Sequence, residues 1–164
     1  MKPKQLAELA VLTAVSLIIF IIELRIPNPF PIPGIKLGMA NIITVYAVYH
    51  YKATKTVMIV AIRLVLGSMF SGNAAVLLYS ASGSTLCLLG MLLLRFVIHE
   101  SHIWLVSIFG AVLHNTGQMA AALAVTQTAG LIAYYPFLLI AGCLAGLFTG
   151  LCAQLMIPRL HKSQ

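Results

Sequence analysis

The sequence predicts an all-α integral membrane protein: one domain over residues 1–164, a six-transmembrane-helix bundle with both termini cytoplasmic. Three observations lead there. Apolar residues make up 61% of the chain and charged residues 8%, against roughly 25% charged in an ordinary globular protein. A mean hydropathy of +1.03 leaves too little polar surface to coat a water-soluble fold, so lipid is the expected solvent. The apolar residues fall into runs of membrane-crossing length, and the basic residues gather at or between the ends of those runs.

A bilayer core about 30 Å thick takes about 20 helical residues, so six helices use about 120 residues and leave about 44 for connections. The first span covers residues 5–24. Lys2, Lys4 and the apolar residues 9–22 resemble a secretory signal peptide, but the run ends in Glu23-Leu24-Arg25-Ile26-Pro27 with no small-x-small cleavage site. A retained first helix is expected, with Ala7 and the pair Ala10 and Ala14 giving it a small-residue stripe. Residues 25–36 form the long outward connection. Pro27, Pro29, Pro31 and Pro33 forbid helix there and stiffen the backbone, and Pro33-Gly34 signals a turn. It reads equally as a rigid strap or as a lid over an outward-facing cavity.

The second span, residues 37–51, is short and is expected to tilt little or to begin below the membrane surface. The third, residues 54–70, carries Arg63 near its middle. A charge at that depth costs at least about 2.5–3.5 kcal/mol on insertion scales, so it should face protein or water. It either anchors neighbouring helices or meets an anionic or carbonyl-bearing ligand; no buried Asp or Glu near its depth is apparent. The fourth span, residues 73–98, places Asn73, Leu77 and Ser80/Ser84 on one approximate stripe, with Tyr79 beside it. That stripe runs from the outer surface to the middle, as a pocket loaded from outside requires.

The fifth span, residues 102–127, brings His114 and Gln118 onto one face, four residues apart, with Asn115 beside them. These groups can donate and accept around a ring or amide, or bond across helices. The sixth span, residues 132–158, has Gly142, Gly146 and Gly150 at four-residue spacing, a flat ridge expected to pack within the molecule.

Orientation follows from the bias of Lys and Arg toward the cytoplasmic side. One side carries Lys2, Lys4, Lys52, Lys55, Arg95, Arg159 and Lys162, the other only Arg25 and Lys36. A multi-pass protein of the cell membrane with cytoplasmic termini is expected.

Several functions are excluded. Glu8, Glu23 and Glu100 are the only acidic residues and there is no Asp, so glycosidase pairs, EF-hand loops and Asp-rich Mg²⁺-diphosphate motifs find no residues. No P-loop appears, so the chain is not its own ATPase. The net charge of +7 forms no basic stripe with interleaved aromatics, which argues against nucleic acid. Cys87, Cys143 and Cys152 sit singly in apolar runs and read as buried hydrophobes, and His114 has no clustered co-ligand for a metal. No cofactor is expected.

Lys36-Leu-Gly-Met-Ala-Asn41, Arg63-Leu-Val-Leu-Gly67 with Ser71-Gly72, Leu78-Tyr79-Ser80 and His114-Asn115-Thr116-Gly117-Gln118 resemble the Gx transporter family, also labelled heptaprenyl diphosphate synthase component I. That family is similar to the substrate-binding S components of energy-coupling-factor (ECF) transporters. The resemblance covers nearly the whole chain and is most specific at His-Asn-x-Gly-Gln. It implies a membrane subunit that captures a small vitamin-like or cofactor-precursor molecule from outside, powered by ATPase subunits through a coupling transmembrane protein. It further implies that Ala10 and Ala14 dock the coupling protein, and is compatible with Asn73, Tyr79, Asn115 and Gln118 in a pocket built from outer loops and later helices. With Arg63, Ser80 and His114 these complete the candidate binding set. The synthase label implies instead a membrane accessory subunit for isoprenoid or quinone synthesis. Prenyl synthases as a class hold diphosphate through Mg²⁺ on Asp-rich motifs, so a chain without Asp is not expected to be an enzyme.

Overall fold

The computed structural model describes residues 3–26, 38–72 and 74–161, with side chains through residue 156. Asn73, Lys36 and most of the proline-rich connection lie outside the described residues. Among the described residues six α-helices form: α1 (Pro3–Arg25), α2 (Asn41–His50), α3 (Ala53–Ser71), α4 (Ala74–Leu94), α5 (Ile103–Thr126) and α6 (Tyr135–His161). Short 3₁₀ turns, Glu100–His102 and Ala129–Tyr134, lead into the last two. No strand occurs among the described residues.

Five of the helices, all but α2, are long and apolar enough to cross a membrane. Their outward faces are apolar: Leu6, Val11 and Ile18 on α1, Met69 and Phe70 on α3, Leu93 on α4, Phe109 on α5, and Phe137, Leu144 and Phe148 on α6 are exposed. A water-soluble fold turns such side chains inward; a bundle solvated by lipid does not need to.

The second helix departs from the expected span over residues 37–51. It has ten residues, about 15 Å of helix, half of a hydrocarbon core. The helix cannot begin earlier because Gly38 sits at φ 79°, in the left-handed region that ends helical geometry, with a turn through Met39 and Ala40. α2 is instead the centre of the bundle. Val45, Ala47 and Val48 are fully buried, and α2 packs against each of the other five helices.

α1 and α3 run in the same direction. Gln5 lies beside Lys55, Ser16 beside Arg63, and Phe20 against Gly67. α2 therefore runs back along the bundle toward the start of both helices. We call that end the base. There Val45 and Val48 of α2 join Val60, Cys87, Leu88, Met91, Ile103, Val106 and Ala153 in an apolar core. The final carbonyls of α2 are met by side chains: Thr56 Oγ1 donates to Ala47 O (3.0 Å) and Arg95 Nη1 to Val48 O (2.9 Å).

Close helix approach depends on glycine. A Cβ on Gly117 of α5 would lie 2.8 Å from Ser82 O and 2.9 Å from Gly83 Cα on α4. The ridge Gly142, Gly146, Gly150 faces α5, as its spacing predicts; a Cβ on Gly150 would lie 2.6 Å from Trp104 Cα.

Candidate functional site

Arg63 stands at the middle of α3 and is 2% exposed. Its Nη1 donates to Ala40 O (3.1 Å), Ser16 Oγ (3.4 Å), Asn41 Oδ1 (3.4 Å) and Thr44 Oγ1 (3.5 Å). Its Nη2 donates to Ser84 Oγ (3.1 Å) and Asn41 Oδ1 (3.4 Å). The guanidinium thus ties α1, α3 and α4 to the first turn of α2. These acceptors suit it physically: a planar fork of five N–H donors can serve several neutral oxygens at once. Nε alone has no hydrogen-bond partner among the described residues.

Beside it lies a small cavity of about 10 Å³ between α1, the start of α2, α3, α4 and α5. Arg63, Asn41, Ser80, Ser84, His114 and Gln118 give it polar walls, with Glu23, Phe20, Gly38 and Ala40 completing them. Its free width admits little more than a water molecule. Ser80 is 3% exposed, and its hydroxyl has no hydrogen-bond partner among the described residues.

His114 and Gln118 share the cavity-facing side of α5, one turn apart. Glycines make room for the imidazole on two sides. A Cβ on Gly83 would come within 3.1 Å of its Cε1, and one on Gly38 within 3.2 Å of its Cδ2.

The other predicted residues lie elsewhere. Asn115 points to α6, where its Nδ2 donates to Leu138 O (2.7 Å) against Gly142. Tyr79 packs with Met119, Ala122 and Leu138 in a small apolar cluster. Ala10 and Ala14 are exposed on α1 beside Val11, Val15 and Ile18. Asn73 is outside the described residues.

One expectation is corrected. The sequence offers no obvious buried acid near Arg63, yet Glu23 is 7% exposed and lines the same cavity. Its Oε1 accepts from the backbone N–H of Gly38 and, at 3.3 Å, of Met39, so it fixes the turn that starts α2. The signal was present: Thr13, Ser16, Phe20 and Glu23 follow helical spacing and share the buried face of α1. Asn41, Thr44 and Ser16 meet Arg63 and are likewise not read as site residues from the sequence, whereas Ser84 lies on the stripe read with Ser80. Recognition of the first three needed the position of α2.

Chemically the cavity offers a cation, a carboxylate, an imidazole, amides and hydroxyls within one low-dielectric space. Among the described residues no group of three His, Cys, Asp or Glu gathers as metal ligands would.

A family model described as heptaprenyl diphosphate synthase component I matches residues 12–156, a stretch that contains every lining residue of the cavity. No curated protein and no solved structure matches the chain.

Proposed function

The chain belongs to the heptaprenyl diphosphate synthase component I family, and from that premise we propose a non-catalytic membrane subunit that captures a small polar molecule in the Arg63 cavity. The observation that carries this reading is a hydrogen-bonding deficit: Ser80 Oγ and Arg63 Nε are buried there without partners among the described residues. An unmet polar group costs about 1–3 kcal/mol by mutational measures, and a guest bearing a carbonyl or carboxylate oxygen relieves it. A lipid acyl chain does not.

In this proposal Arg63, Ser80, His114 and Gln118 contact the molecule, while Tyr79 and Asn115 brace the wall behind them. The cavity is too narrow for a vitamin-sized guest as it stands, so binding widens it. The subunit works as an S component does: it loads from outside, with both termini in the cytoplasm, and an ECF coupling protein and ATPase subunits drive release. The exposed Ala10 and Ala14 supply the docking stripe. Native mass spectrometry of the purified chain, with co-purification of ECF ATPases, tests this. We expect a retained small molecule that Gln118→Ala loses without a lower melting temperature, and Ala10→Trp to abolish uptake but not binding. Well-folded preparations holding neither a small molecule nor coupling proteins would count decisively against it.

The family's description favours a second reading, an accessory membrane component of heptaprenyl diphosphate synthesis acting with another component. Deletion that alters prenyl chain output while nutrient uptake stays normal would select it.

A further inference from the structure

We infer that the base of the bundle carries a second binding site, a groove at the membrane–water boundary that holds a phosphate-type anion. It is an open depression of about 450 Å³ lined by Lys4 of α1, Lys52 and Lys55, with Glu8 and His50 alongside. Lys and Arg accumulate at one membrane face for topological reasons alone, but that bias does not require them to converge. Here residues far apart in sequence meet in one concavity because α1 and α3 start side by side.

The groove is also organised. Lys55 Nζ donates to Gln5 Oε1 (3.2 Å) and lies 5.8 Å from the centroid of the Tyr51 ring, so one ammonium is held in place. Tyr51 OH donates to Glu8 Oε2 (3.4 Å), occupying one oxygen of the only carboxylate among the described residues that line the groove. Burial, then the Glu8 charge, push the Tyr51 phenol up to about 12, so it keeps the proton it donates. Lys52 is the N-cap residue of α3 and provides no side-chain cap, which leaves first-turn N–H groups without that partner at the groove's edge. Outside the groove, Leu6, Val57 and Met58 expose apolar surface. Ammonium groups above an apolar flank suit an anionic headgroup carrying acyl chains; the same charges suit a soluble phosphate or diphosphate. Glu8 and Glu23 are about 22 Å apart along α1, so this site is separate from the Arg63 cavity and stands or falls independently of the function proposed for it.

The test uses the full chain in nanodiscs of phosphatidylcholine, with or without a minority of phosphatidylglycerol, and titrations of inorganic phosphate and pyrophosphate. Phosphatidylglycerol retained on the protein by native mass spectrometry, and not displaced by pyrophosphate, identifies a lipid source. Pyrophosphate binding without phosphatidylglycerol enrichment identifies a soluble one. In either case each lysine removed should weaken binding about fivefold, and added salt should weaken it further. We expect Lys52→Gln/Lys55→Gln to show this and Arg25→Gln, at the far end of α1, not to. If the half-buried Lys55 proves necessary for folding, Lys4→Gln/Lys52→Gln, both on exposed positions, gives the same reading. Binding of neither anion, or an equal loss in Arg25→Gln, overturns the inference.

Discussion

The two ends of α2 rest in different surroundings. At its start, Asn41 and Thr44 meet the guanidinium of Arg63 and a polar cavity. At its end, Val45 and Val48 meet Cys87, Met91, Val106 and Ala153 in close apolar packing. The apolar core of the base is filled, and the polar groups that reach it from Thr56 and Arg95 each find a carbonyl. The cavity half has hydrogen-bonding capacity left over. In lipid, burying apolar surface gains little, so helices associate through close packing and hydrogen bonds. The contrast teaches that the base is the closely packed part, and that under the proposed function the cavity half is the part that responds to a guest.

The comparison breaks first at Arg63. Arg63→Ala removes the guanidinium donors from Asn41, Thr44, Ser16, Ser84 and Ala40, of which Ala40 O keeps the Ser16 Oγ donor (3.3 Å), and should cost about 3–5 kcal/mol, close to loss of the fold. Thermal unfolding in detergent reads this; a loss no larger than that of Met91→Ala in the base would remove the distinction between the halves. Next comes the α4–α5 seam. Gly117→Ala meets backbone atoms that cannot move aside and should cost about 1–3 kcal/mol. Gly90→Ala meets only the side chain of Leu113, which can rotate, and should cost less than about 1 kcal/mol. Equal melting temperatures for the two would show that the seam is loose.

Two smaller effects sharpen the contrast. Cys87→Ser puts a hydroxyl where the filled base offers little to bond, at about 1–2 kcal/mol by the same assay. Ser80→Ala removes a hydroxyl that lacks a partner, so the stability of the empty protein should change by less than about 0.5 kcal/mol. Retention of a bound molecule by that variant should fall about fivefold to tenfold, the worth of one hydrogen bond. A large loss of stability in the empty protein would return Ser80 to a purely structural role.

Much of the architecture is legible in the chain. Apolar runs and the Pro and Gly between them delimit the long helices to within a few residues, because length and composition suffice when lipid is the solvent. The pairing of His114 with Gln118 follows from helical geometry alone. Asn115 shows where that reasoning stops. One residue along, a side chain turns by about 100° and here reaches α6 instead of the cavity, and only the packing of three helices reveals which face is which. Glu23 was obscured because a charge near a helix end reads as a boundary marker. Its burial depends on the turn at Gly38, whose position the sequence does not reveal.

The brevity of α2 has a consequence for how the molecule is made. Ten residues are too few to lodge in a bilayer alone, and a helix that short is barely stable by itself. The translocon can thread α1 and α3 into the membrane in a common direction, but α2 gains its full set of neighbours only once the later helices arrive to surround it. The contacts of Arg63 with Ala40 and Asn41 then form as a closing step of biogenesis, and slowed synthesis beyond α4 should leave an intermediate open to protease at the start of α2.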